Sequence, residues 1–238
     1  MRDIRLLLGL ALIVIGLSCK PTQTEPEATS TPTAPPNCRV ATECRQASPA
    51  FARAYNDRDA CRGSDMRVCL VPMGWLPKVM VDGLVAYYAS EYNLTLHVLP
   101  TIELPPGFDK GQMLSADRLR ASFIQTYPGL ANDPEVNLIG LTATYIYTAE
   151  WPGGSFGQTY PTAGGTRRHA MLSIAMLGPL DRGPTGNALR DRRIRVLLNR
   201  PIARGHFDLP ENNDRGSLLY HTISSVGQLD LMDERIPR

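Results

Sequence analysis

The chain has 238 residues, 43% of them apolar, with 25 Lys and Arg set against 23 Asp and Glu. The resulting formal charge of +2 argues against a polyanion such as a nucleic acid as partner. Lysine occurs only at positions 20, 78 and 110, so arginine supplies nearly all the positive charge.

Met1-Arg2-Asp3-Ile4-Arg5 is a short basic start, and Leu6 to Leu17 is an almost unbroken apolar run. That run is too short to span a bilayer comfortably, which favours a signal peptide over a permanent helix. It ends in Ile15-Gly16-Leu17-Ser18-Cys19. A small residue before a cysteine, after an apolar stretch, resembles the bacterial lipoprotein signal, with Gly16 where that signal usually carries Leu. The resemblance implies that residues 1–18 are removed and that Cys19 is lipidated; a plain signal peptide cleaved nearby is the alternative. A lipid on Cys19 would hold the protein at a membrane, each buried methylene adding about 0.8 kcal/mol. The expected location is the bacterial cell envelope. Lys20 rather than Asp follows the cysteine, which points to the outer membrane in a host that has one.

Residues 19–37 are rich in Pro, Thr and Glu, offer almost no apolar surface, and read as an extended, disordered tether. The remainder, about 200 residues, suits one domain. It opens with an extension over 38–66, which carries Cys38, Cys44 and Cys61; Cys69 follows in the first strand. An even cysteine count in an exported chain predicts two disulfides, with all three pairings open. A four-cysteine zinc cluster is the weaker alternative, because C-x-x-C spacing is absent. Each of the three pairings staples the extension onto the first core strand.

The body, 67–238, opens with Arg67-Val68-Cys69-Leu70-Val71-Pro72-Met73-Gly74, a buried strand entering a turn. Leu76, Met80, Leu84, Tyr87, Tyr88 and Glu91 fall at helical spacing, and Asn93 ends that helix. A second strand covers 94–100. Ser115 is positioned to cap a helix over 116–127, with Leu119, Phe123 and Ile124 on one face. A third strand is predicted over 135–142, an edge at Gln158-Thr159-Tyr160, and a fourth strand over 168–177. A last helix spans 187–199 and ends before Pro201, since proline inside a helix costs about 3 kcal/mol. Arg190, Arg192, Arg193 and Arg195 read as its solvated face, with Asp191 interspersed, rather than as a nucleic-acid or anionic-lipid contact. The order β-α-β-α-β-β-α predicts an α+β domain, a mixed sheet packed with helices.

Several segments now match a family in order and spacing. Val68–Gly74, the Leu99-Pro100 and Leu104-Pro105 pairs, Gly111-Gln112 and Ala116-Asp117-Arg118-Leu119 resemble the first strand, proline-rich loop and following helix of archaemetzincins. Leu138–Tyr147 is similar to that family's Gly-x-Thr-x-x-Asp-x-Tyr strand, with Tyr145 in place of Asp. Trp151–Gly157 and Ala170–Ala175 resemble its substrate-side edge and the strand before its active-site helix. The resemblance covers about 110 residues continuously and implies a metzincin-like fold. It also implies a zinc peptidase site built on H-E-x-x-H-x-x-G-x-x-H, in which two His share a helix face and the Glu polarises a bound water.

That motif is absent. Aligned on Leu209-Pro210, Pro201, Ile202, Gly205, Asp208 and Glu211 occupy its five positions. Sliding the frame by one puts His206 on the second-His position but leaves Ile202 and Ala203 where the first His and Glu belong. Ser217–Gly227 and Leu229–Met232 still resemble the segment beyond the metal loop, so the motif is replaced inside a retained domain. No zinc or other cofactor is expected. The favoured reading is an inactive, membrane-anchored peptidase homologue that binds a peptide or protein along an edge near Trp151, Phe156, Gly157 and Tyr160. The alternative is a zinc hydrolase with non-standard ligands His206, Glu211 and His221. Other nucleophile, P-loop and dinucleotide patterns are missing.

Overall fold

The computed structural model describes residues 59, 61–63, 65–104, 113–161, 167–178 and 184–237, all within one compact unit, 34–238. The signal segment, Cys19, the tether and the cysteines at 38 and 44 lie outside the described residues.

Strand β1 (Arg67–Met73) is buried along its whole length and pairs in parallel with β2 (Leu96–Val98) on one side and β4 (Val136–Thr142) on the other. Strand β7 (Arg167–Ser173) extends the parallel sheet beyond β4, and β6 (Gly157–Pro161) closes it as an antiparallel edge. The order β2-β1-β4-β7-β6 is the expected mixed sheet. Its alternation sorts side chains into two cores. Val68, Leu70, Ile139, Leu141, Ala170 and Leu172 face one layer. Cys69, Val71, Met73, Leu138 and Met171 face the other.

Helix α1 (Lys78–Tyr92) covers the first face through Val81, Leu84 and Tyr88. It stops at Asn93, whose left-handed φ of 50° lets Leu94 N–H reach back to the Tyr88 carbonyl. Helix α2 (Ala116–Thr126) covers the second face through Ala116, Leu119 and Phe123, and Ser115 caps it by accepting from Arg118 N–H, as predicted. The sequence reading missed the smallest elements. These are a parallel pair, β3 (Leu114–Ser115) with β5 (Ile146–Tyr147), and the one-turn helix α3 (Pro128–Ala131). The predicted strand over 168–177 ends instead at Ser173, and Ala175–Leu177 turns as a 3-10 helix.

The largest correction concerns helix α4, which runs from Pro184 to Gly205 and passes through Pro201. The proline removes one intrahelical hydrogen bond, at a cost of about 3 kcal/mol. Leu197, Leu198, Ile202 and Ala203 are all buried around it, and each large apolar side chain buried contributes roughly 1.5–3 kcal/mol. Asn137 Nδ2 also donates to the Pro201 carbonyl at 3.0 Å. Tertiary burial therefore outweighs the local penalty.

The arginines of α4 are not a free solvated face. Arg192 donates to the carbonyls of Leu229 and Met232, at 3.1 and 2.6 Å, capping the C-terminal end of helix α5 (Val226–Leu231). Arg193 grips Asp230 with two hydrogen bonds of 2.7 and 2.6 Å. Arg195 pairs with Glu234 and lies over the Tyr87 ring at 4.9 Å. Arg190 is buried. Together these contacts fasten the C-terminal segment to the core.

The hydrogen bonds from Arg193 hold the Asp230 carboxyl below the usual carboxylate range. A folded-state value depressed in this way contributes stability above the unfolded value near 3.9 and loses it as pH falls through the folded value. Asp230→Asn should therefore flatten the acid limb of a melting-temperature profile, measured between about pH 2 and 5.

One predicted disulfide is seen. Cys61 is bonded to Cys69 with their Cα atoms 6.0 Å apart, tying the end of the extension to β1.

Candidate functional site

A cleft of about 560 Å³ runs between the β6 edge, α4 and the segment after it. Helix α4 contributes Leu197, Arg200, Pro201 and Arg204, spaced i, i+3, i+4 and i+7 along one face. Past Gly205 the chain turns sharply. His206 N–H bonds the Ile202 carbonyl at 2.8 Å, Leu209 N–H bonds that of Ala203 at 3.0 Å, and Asp208 takes a left-handed φ of 53°. Few residues other than Gly adopt that conformation, Asp being among the more tolerant. Position 208 is where the first alignment frame puts the motif's glycine, so the backbone selects that frame.

The turn brings Glu211, at the third-His position, back against the helix. Its Oε1 pairs with Arg204 Nη1 and lies 3.6 Å from Arg200 Nη2. His221 lines the same cleft and packs against the Tyr220 ring at 4.3 Å. His206 is not part of the lining; its ring stands edge-on to Phe207 at 4.7 Å. Glu211 and His221 thus share the cleft while His206 lies outside its lining, so the three alternative ligands do not converge. Among the described residues no three His, Cys, Asp or Glu side chains converge on a point.

The opposite wall is β6. Ser173 N–H donates to the Phe156 carbonyl at 2.8 Å. The antiparallel alternation then turns the backbone groups of Gln158 and Tyr160 toward β7 and those of Gly157 and Thr159 toward the free edge. The Ser155 hydroxyl serves both Gly157 groups, at 3.0 and 3.2 Å. Thr159 is left presenting its N–H and C=O to the cleft. Gly157 is required where it stands, because a Cβ there would lie 2.7 Å from the Met171 carbonyl oxygen and 3.3 Å from Leu172 Cα.

Of the four edge residues read from the sequence, Trp151, Phe156 and Gly157 line the cleft. Tyr160 does not: it is buried in the second core under Arg120, whose guanidinium sits 4.5 Å from its ring centre. Burial, with Asp117 nearby, pushes its phenol well above the ordinary value. Arg200, Arg204 and Thr159 are site residues that the sequence reading did not single out. The i, i+4 spacing of the two arginines beside Pro201 was the available signal.

The fold has solved counterparts. Archaemetzincin from Methanopyrus kandleri is 26% identical, with a TM-score of 0.52 over 74% of this chain and 92% of that one. Archaemetzincin from Archaeoglobus fulgidus is 18% identical, with a TM-score of 0.53 over 73% and 96%. A zinc-dependent peptidase from Methanocorpusculum labreanum is 16% identical, with a TM-score of 0.52 over 71% and 95%. The chain is archaemetzincin-like. No family model and no curated protein matches it.

The resemblance implies zinc, and the residues present do not fit it. Zinc in such sites takes His, Cys, Asp or Glu side chains. In this archaemetzincin-like chain Pro201 and Gly205 offer no donor, the Ile202 side chain points into the core, and Glu211 is held by guanidinium groups.

Proposed function

We propose that this is a catalytically inactive archaemetzincin-like protein, anchored to the bacterial envelope through Cys19, whose cleft binds peptide along β6. One observation carries the reading. The helix wall that supplies ligands and base in the zinc motif here presents Leu197, Arg200, Pro201 and Arg204. None of these binds zinc or serves as a general base at neutral pH, since a guanidinium keeps its protons. The opposing strand edge, with Thr159 turned outward, retains what a peptide needs for strand addition.

Hydrogen exchange tests the binding half. A pooled set of synthetic octapeptides should slow exchange of the Thr159 amide, and the peptides should be recovered intact by mass spectrometry. Cleaved peptides contradict inactivity, and unchanged exchange contradicts strand addition.

The anchor rests on the apolar run 6–17 and the cysteine after it. Among the described residues no helix is long and apolar enough to cross a membrane. Metabolic labelling with a radioactive fatty acid should mark the protein and leave Cys19→Ala unmarked. An unlabelled wild-type protein would remove the lipid from the account.

A further inference from the structure

His169 is a buried titratable group that the cleft does not use. It sits on β7, 4% exposed, and its ring stands edge-on to Phe123 of α2 at 5.9 Å, on the second-core face of the sheet. Among the described residues neither ring nitrogen has a hydrogen-bond partner of ordinary geometry. The groups around it come from four elements. Arg120 of α2 acts on it as a cation, and the Ala131 carbonyl of α3 is the one acceptor acting on it. Tyr160 lies opposite it on β6, and the apolar Leu138 is its neighbour on β4. Arg120 also covers the Tyr160 ring, and its own Nε is buried without a partner. The nearby carboxylate, Asp117, acts on Tyr160.

Such a pocket suits a neutral imidazole and not an imidazolium. The charged ring carries two N–H donors. One acceptor and a facing cation leave that charge poorly met in a water-poor site. Burial, with Arg120 adding to it, lowers the His169 pKa below its ordinary value near 6.5. The folded value is therefore the lower one. Stability from a neutral His169 is complete above about pH 6.5 and is lost as pH falls from there through the folded value.

The wall that can yield is β6. It pairs only with β7, and its ladder shifts register between Tyr160 and Pro161. Helix α2 is instead held by the buried Ala116, Leu119 and Phe123. Residues directly opposed on one face of an antiparallel pair keep their Cβ atoms about 4.5–5.5 Å apart. A charge gained at His169 is thus met first by Tyr160, the chain neighbour of Thr159.

We propose that His169 is a pH sensor beneath the strand edge: on taking a proton from mildly acidic solvent it loosens β6 and releases a peptide paired at Thr159. The release rests on the peptide-binding reading above. The loosening of the edge does not.

Hydrogen exchange by mass spectrometry on the detergent-solubilised full chain tests the loosening, at about pH 7 and about pH 5 with the intrinsic pH dependence of exchange removed. Protection over 157–161 should fall several-fold at the lower pH while β1 and β4 keep theirs. His169→Leu should abolish the difference. Arg120→Gln, which takes away the facing cation, should shrink it, and decides the matter where His169→Leu does not fold. Equal protection of β6 at both pH values overturns the sensor. An undiminished loss in His169→Leu overturns His169 as the group, and an equal loss in β1 and β4 overturns β6 as the part that yields. Fluorescence anisotropy with a fluorescein-labelled octapeptide pool tests the release: affinity should fall several-fold between the two pH values in the wild type and stay level in His169→Leu. Peptide held equally at both pH values by the wild type overturns the release. No binding at either pH overturns the peptide-binding reading and the release with it, while exchange still decides the sensor.

Discussion

Ile202→Glu, which puts a carboxylate back at the general-base position of the zinc motif, should unfold the protein rather than activate it. Ile202 is fully buried between the sheet and the C-terminal segment, in the same cluster as Leu198, Leu218 and Leu229. An uncompensated charge there costs about 3–5 kcal/mol, and losing the isoleucine adds about 2 kcal/mol. Against a total stability of about 5–15 kcal/mol, that removes much of the folded population. A thermal melt should show a fall of about 10–20 °C or no cooperative transition. Adding His at 205 worsens matters, because a Cβ on Gly205 would stand 2.7 Å from Asn137 Nδ2, and Asn137 is itself buried. A folded Ile202→Glu protein with an unchanged melting temperature would mean that this side chain faces the cleft.

Gly157→Val should separate the two walls of the site. The added side chain meets backbone atoms of β7, the Met171 carbonyl and the Leu172 Cα, which cannot rotate away. Overpacking of this kind costs about 1–3 kcal/mol. The main consequence is displacement of β6, so peptide binding should be lost while α1 and α2 stay in place. Gly129→Ala is the matched control, because a Cβ there meets nothing within 4 Å and the residue lies outside the cleft. Anisotropy with a labelled peptide should show no change for the control and no binding for Gly157→Val. Retained binding in Gly157→Val would move the binding surface away from the strand edge.

The parts of the fold that were legible in the sequence are those in which local pattern and burial agree. β1 and β4 read as apolar runs and are buried on both faces; Ser115 and Asn93 end their helices by local hydrogen bonding and backbone preference. Pro201 failed as a stop signal because its penalty is local while the burial of Leu198, Ile202 and Ala203 is tertiary, and only the assembled sheet supplies it. Two-residue strands such as β3 and β5 carry no periodicity to detect. The arginines of α4 looked solvated because their partners, Asp230, Glu234 and the carbonyls of 229 and 232, lie about ten turns of helix away in sequence.

The site divides along the same line. The missing motif was visible, because it is a string of residue types. Its replacement was not, because an ion pair between Arg204 and Glu211 depends on the left-handed turn at Asp208. Tyr160 was misplaced for a simpler reason: side chains alternate along a strand, and the sequence does not say which face of an edge strand looks into a cleft.

Zinc content tests the central claim most directly. The detergent-solubilised full chain, incubated with excess zinc and then dialysed, is analysed by inductively coupled plasma mass spectrometry. Replacement of the metal site by Arg200, Arg204 and Glu211 predicts folded protein with no bound zinc, and a melting temperature unmoved by chelator. One zinc per chain, lost in His206→Ala or His221→Ala, would contradict it.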